Sequence, residues 1–217
     1  MNAQTECLTL SGPAGAIEAV RDAAALADGA AAPRGVAIIA HPHPLFGGTM
    51  DNKVVQTLAR AFVQCGWTAV RFNFRGVGTT ECVYDEGRGE LQDLLAVVEQ
   101  VAPVAEGQRI ALAGFSFGAF VTSHALATLW PQDRVDQAVL VGTAASRFAV
   151  APVPPEAHLR TLVVHGELDD TVPLSAVMDW ARPQILPVTV VPAGGHFFHG
   201  QLPLLKNLVV RHLQSGV

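Results

Sequence analysis

Residues 109–129 read RIALAGFSFGAFVTSHALATL. The opening RIALA is a short, mostly apolar run with the length and composition of a buried strand. From Phe117 onward the apolar residues recur at three- and four-residue spacing, which predicts a helix as far as Leu129. Between the two stands Gly114–Phe115–Ser116–Phe117–Gly118, a G-x-S-x-G where a strand must turn straight into a helix. With 20 glycines in 217 residues, chance yields this pattern with a probability of roughly 0.05 before any flanking element is required. A serine on such a turn is held in a strained backbone, and the glycines let neighbouring chains approach without a Cβ in the way. The Ser116 hydroxyl would then stand clear, with helix N–H groups aimed at any negative charge forming beside it.

The same alternation of apolar runs and helix-period segments extends in both directions from this turn. Strands are expected at residues 36–40, 68–72, 109–113, 138–141, 161–164 and 188–191, with an antiparallel starting pair near 6–10 and 16–20. Helices are expected at 52–64, 90–101, 117–129, 174–181 and 202–213. This is the pattern of a mostly parallel sheet with crossover helices, an α/β fold. The Ala-rich stretch 23–32 reads as a hairpin loop and its flanks before the third strand. No repeat or low-complexity linker appears, and residues 1–217 read as a single domain.

Composition excludes several functions. Half the residues are apolar and 15% charged, which is incompatible with a disordered or coiled-coil chain. The net charge of −5, with no basic block, argues against nucleic acid as a partner. Cys7, Cys65 and Cys82 form no C-x-x-C, so reduced thiols in the cytoplasm are expected rather than a disulfide framework. No basic leader precedes an apolar stretch, and no apolar window is long enough to span a membrane.

A serine hydroxyl needs a base, and the base needs a carboxylate to orient it. Downstream, HGELDDTVP (165–173) follows one expected strand and GGHFFHG (194–200) follows the last. The chain order Ser116, Asp169, His196 is the one used where G-x-S-x-G joins a strand to a helix. Asp170 and His199 are the neighbouring competitors, and either acid could instead cap the helix that follows. His165, at a strand end, reads as a structural histidine bonding its loop.

GFSFG, HGELDD and GGHFFHG together resemble the α/β-hydrolase superfamily. HPHPLFGGTMDNK (41–53) and NFRGVG (73–78) are similar to a group of small bacterial α/β-hydrolases without a cap domain. The resemblance runs from about residue 36 to the C-terminus. It implies an eight-stranded α/β-hydrolase fold with Ser116 as nucleophile, Asp169 as acid and His196 as base. Residues 79–82, TTEC, depart from the Ser and Gly expected there. The HPHP loop would complete an oxyanion hole with the Phe117 N–H. Pro42 and Pro44 have no N–H, which leaves His43 or Leu45, and His43 is the first choice. His41 and His43 lack the companion ligands of a metal site, so neither metal nor cofactor is expected.

Arg75 is expected to fix its turn through Asp93 or Glu90. Phe46, Phe115, Phe117, Phe197 and Phe198 cluster in the motif loops and suggest an apolar acyl pocket, with ordinary core packing as the alternative. Residues 142–160, with three prolines, are too few for a lid. The expected function is cleavage of a small carboxylic ester through an acyl-enzyme. A thioesterase or peptidase on the same residues and a non-catalytic binding protein are the alternatives.

Overall fold

The computed structural model describes residues 5–26 and 32–215. Among them, eight strands form one sheet: β1 (Thr5–Gly12), β2 (Gly15–Asp22), β3 (Val36–Ala40), β4 (Thr68–Phe72), β5 (Ile110–Phe115), β6 (Val135–Val141), β7 (Thr161–Gly166) and β8 (Val188–Val191). Their order is β1-β2-β4-β3-β5-β6-β7-β8. The first two pairings, β1 with β2 and β2 with β4, are antiparallel, and every later one is parallel. The helices are α1 (Lys53–Gln64), α2 (Arg88–Val101), α3 (Phe117–Leu129), α4 (Leu174–Ala181) and α5 (Leu202–Gln214). Much of the Ala-rich stretch read as a loop, residues 27–31, lies outside the described residues.

Because successive side chains of a strand face opposite ways, the fully buried strands feed two cores. Ile38, Val70, Leu112 and Leu140 pack toward α2 and α3. Ala37, Ile39, Ala113 and Val139 pack toward α1 and α5. Helix α3 lies at the centre and is buried on nearly every side, so it shows apolar residues all round rather than one stripe.

Two expected boundaries move for identifiable reasons. Strand β5 runs past residue 113 because Gly114 and Phe115 still pair with Leu140 and Val141 of β6. Helix α2 starts two residues before Glu90, whose carboxylate accepts the main-chain N–H groups of Asp85 and Gly87 and so closes the turn ahead of it. Between β6 and β7, residues 142–160 contain one 3-10 helix, Pro155–Arg160, as their only regular element. No lid is built there. Among the described residues no helix is long and apolar enough to cross a membrane.

The turn after β4 is held by a buried ion pair. Arg75 donates two bonds of 2.8 Å to Asp93 on α2 and a third, also 2.8 Å, to the Gly89 carbonyl. Both side chains are almost wholly buried, so the guanidinium fork and carboxylate satisfy each other out of water. Removing one partner strands the other charge. Asp93→Asn is therefore expected to lower the unfolding free energy by about 3 kcal/mol, read from urea unfolding midpoints; a loss well under 1 kcal/mol would mean that water reaches the pair.

Candidate active site

Ser116 sits between β5 and α3 at φ 57 and ψ −116, a region that side-chain-bearing residues rarely occupy. Its N–H donates to the Val141 carbonyl at 2.8 Å, and its carbonyl accepts from Ala119 and Phe120 in the first turn of α3. Gly118 makes the turn possible: a Cβ there would collide with the main-chain carbonyls of Ala40 and His41 at the end of β3.

The two other predicted residues reach Ser116 on separate loops. Asp169 follows β7 and His196 follows β8, and the loops touch because Gly166 has no side chain to strike the Gly194 carbonyl. The Leu168 N–H donates to that carbonyl at 2.8 Å. In this arrangement His196 Nε2 lies 3.0 Å from Ser116 Oγ, and His196 Nδ1 lies 2.7 Å from Asp169 Oδ2. All three side chains are buried, and the Phe115 ring packs against the imidazole with centroids 4.9 Å apart.

Asp169 is held as an acceptor. Its Oδ1 takes the N–H groups of Thr171 at 3.0 Å and Val172 at 2.7 Å. Burial alone would raise this carboxyl, but the His196 bond and the Val172 N–H outweigh it and hold the group below the usual carboxylate range. Ionised Asp169 therefore fixes the His196 tautomer, with the proton on Nδ1 and Nε2 free to accept from the serine. The competitors stand elsewhere: Asp170 accepts the adjacent Thr171 hydroxyl, and the His199 ring packs beside Phe197.

His165 is wholly buried. Its Nε2 donates to the Val172 carbonyl at 2.9 Å and lies 3.4 Å from Asp169 Oδ2, while Nδ1 is buried without a partner. Burial lowers its pKa, so the ring is neutral and steadies the acid loop.

The HPHP loop lies over the serine. The Leu45 N–H is taken by His43 Nδ1 at 3.2 Å, which withdraws Leu45 as an oxyanion donor. Leu45 also points outward, 66% exposed. The N–H of His43 carries no bond among the described residues, and that of Phe117 opens α3, where no preceding turn can use it. Both residues line the same cleft as Ser116. Burial, followed by the nearby charge of Arg147, lowers the His43 pKa and keeps that ring neutral.

The cleft has a volume of about 320 Å³ and is walled by Phe46, Phe117, Phe148 and Phe197. Two phenylalanines expected in the pocket belong to the core: Phe198 anchors the His196 loop in the layer under α1 and α5, and Phe115 lies beneath the imidazole. Phe148 and Arg147 were not foreseen, since they come from the irregular 142–160 segment, which has no periodicity to mark a buried face. No group of three or more His, Cys, Asp or Glu suited to a metal occurs among the described residues.

Residues 31–163 match the family described as serine aminopeptidase, S33. The chain is an α/β serine hydrolase of that family. XC6422 from Xanthomonas campestris, described as an α/β serine hydrolase without lid, is 36% identical over 99% of this chain and 95% of its own, with a TM-score of 0.86. An α/β serine hydrolase homologue from Coxiella burnetii is 38% identical over 96% and 97%, with a TM-score of 0.79. A stretch of 89 residues is 43% identical to an uncharacterized protein of Rickettsia prowazekii, spanning 40% of this chain and 37% of that relative.

In this hydrolase the motif residues outside the serine turn act as ties between loops. The Asn73 carboxamide oxygen accepts the Met50 N–H at 2.9 Å, and its NH2 donates to Glu18 at 2.7 Å. The departure at TTEC is absorbed by β2: Thr80 and Glu81 accept the main-chain N–H groups of Glu18 and Ala16. His41 Nδ1 donates to the Pro42 carbonyl at 2.6 Å while Nε2 accepts the Phe74 N–H at 2.9 Å, which requires the neutral ring.

Burial lowers the His41 pKa to about 4. In the unfolded chain the ring titrates near its ordinary value of about 6.5, so below that pH the unfolded state binds the extra proton. The stabilising contribution is complete above pH 6.5 and is lost as pH falls toward 4. The loss is expected to reach on the order of 3 kcal/mol, measured by urea unfolding across that range. The pH slope should shrink by about one proton in His41→Gln; an unchanged slope would assign the acid sensitivity to other groups.

Proposed function

We propose that this hydrolase cleaves small carboxylic esters through an acyl-enzyme on Ser116. The observation that carries the reading is the chain of contacts from Ser116 Oγ to His196 Nε2 at 3.0 Å and from His196 Nδ1 to Asp169 at 2.7 Å, opening on an apolar cleft. In the first step His196 takes the hydroxyl proton as Ser116 Oγ attacks the ester carbonyl. The Phe117 and His43 N–H groups receive the oxyanion. Collapse of the tetrahedral intermediate breaks the ester C–O bond, and His196 returns the proton to the leaving alcohol. Water then repeats the sequence on the acyl-enzyme, releasing the acid and restoring Ser116. Asp169 stabilises the imidazolium in both halves. The acceptors of proton and charge all belong to side chains or main-chain amides, so the cycle closes without a cofactor.

A peptidase is the second reading, because the matched family is described as a serine aminopeptidase. An aminopeptidase must hold an α-ammonium group, which calls for a carboxylate facing the substrate. No Asp or Glu lines this cleft. Esters are therefore preferred as the substrate class, with a cytoplasmic setting consistent with the free thiols.

Ser116→Ala is expected to lower kcat on any hydrolysed ester by about 10³-fold or more and to abolish labelling by a fluorophosphonate. His196→Ala should lose far more activity than His199→Ala, and Asp169→Asn far more than Asp170→Asn; a reversed ranking in either pair would remove the assignment. Along a series of p-nitrophenyl esters kcat/KM should peak at short acyl chains. An uncovered cleft buries little of a long chain, forfeiting about 0.8 kcal/mol per unburied methylene. A maximum at long chains would require a deeper groove than the one these residues form.

A further inference from the structure

The charged groups around the cleft are unevenly matched. Most arginines of the protein have carboxylate partners, among them Arg71 with Asp22 and Asp51, Arg134 with Glu99, and Arg182 with Asp179. A cleft of comparable size elsewhere, about 350 Å³, is lined by Asp22, Asp51 and Arg71, whose charges close on one another, and by Arg60, which bonds the Gln56 carboxamide. Arg147 differs. It lines the cleft that holds Ser116, and among the described residues no carboxylate lies within ion-pair distance of its guanidinium. The same lining contains no acidic side chain at all, although the chain as a whole carries a net charge of −5. Asp169, the nearest acid to the chemistry, lies behind His196 with its oxygens already occupied.

Around this cation the walls are apolar. Phe148 follows Arg147 directly and packs on Phe117 with centroids 5.2 Å apart; Phe46 and Phe197 complete the aromatic lining. A neutral apolar ester would fill the walls and leave a guanidinium without a partner at their edge. An ester that also bears a carboxylate would use both. The planar fork of arginine matches a carboxylate with two parallel N–H···O bonds, here at an exposed residue on the edge of the cleft.

We propose that Arg147 is a specificity-determining residue that selects esters bearing a carboxylate. The inference rests on the ester-hydrolase reading above and names the chemistry of its substrate. The anion can belong to the acyl part or to the leaving alcohol, and the two are separable by experiment.

On the acyl side, the mono-4-nitrophenyl ester of adipic acid is compared with its isosteric terminal amide. On the alcohol side, 4-acetoxybenzoate is compared with 4-acetoxybenzamide. The expected result is a kcat/KM ratio, carboxylate over amide, of about tenfold in one pair. The pair that shows it tells which part of the substrate faces Arg147. In Arg147→Gln that ratio should fall to about one, Arg147→Lys should retain part of it, and raising the salt concentration should reduce it in the wild type because the contact is open to solvent.

The ratio is the readout, so a general loss of activity does not imitate the effect. Ratios near or below one in both wild-type pairs would overturn the proposal. So would a preference that survives in Arg147→Gln, or equal losses on charged and neutral esters, which would make Arg147 a general stabiliser of the oxyanion. Failure of the wild type to hydrolyse any of the four esters would instead remove the ester-hydrolase reading, and this inference with it.

Discussion

The active site depends on one backbone turn. Ser116 is held at a positive φ between the end of β5 and the first turn of α3, a conformation that costs about 1–3 kcal/mol and survives only where its surroundings over-determine it. Those surroundings are specific. The Val141 carbonyl accepts the serine N–H, the serine carbonyl accepts the α3 N–H groups of Ala119 and Phe120, and Gly118 lets the helix start against the end of β3. From that turn follow the exposure of Oγ toward the cleft, the alignment of the α3 N-terminus behind it, and the position of Phe115 under His196. The surrounding sheet is a support for this geometry, buried on both faces so that the turn cannot relax.

The other parts of the site are brought to the serine by polar groups that give up water. His41 and Asn73 link the loop after β3 to the loop after β4, and Arg75 links the latter to α2. On the opposite side Gly166 and Gly194 let two loops share a main-chain bond that sets the Asp169 to His196 distance. Buried networks of this kind are rigid while every member is satisfied and costly when one is lost. His41 of the HPHP motif and Asn73 and Arg75 of the NFRG motif thus hold the loops beside Ser116 in place.

The sheet and helices were legible because each strand is a short apolar run and each helix repeats at 3.6 residues, and their expected positions fall within a few residues of the observed ones. The same holds for the serine turn, where glycine, serine and an apolar run permit few alternatives. Chain order and motif offset foretold which acid and which histidine would meet the serine. The cleft itself was much less legible. A cluster of phenylalanines in the sequence could not distinguish Phe46 and Phe197, which line it, from Phe198, which faces the opposite core; that choice is made by a loop with Phe198 itself at φ 51. Arg147 and Phe148 carried no signal, since periodicity is defined only for regular elements and residues 142–160 are nearly all irregular. Nor does the sequence show that the His43 ring folds back onto the amide two residues ahead, the contact that bears on His43 against Leu45.

A site with no lid also has a consequence for timing. Many hydrolases shut out water while the acyl group is transferred and must reopen before the second half of the reaction, so that a moving segment limits turnover. Here the wall around Ser116 is a set of aromatic side chains with no lid over it, so on the proposed acyl-enzyme route bulk solvent would reach the acyl group as soon as the alcohol departs. The water that completes that route would be at hand, at the cost of a weaker local field around the developing charge. On that route acceleration would come from preset distances, and the ties that hold three loops still are what would preset them.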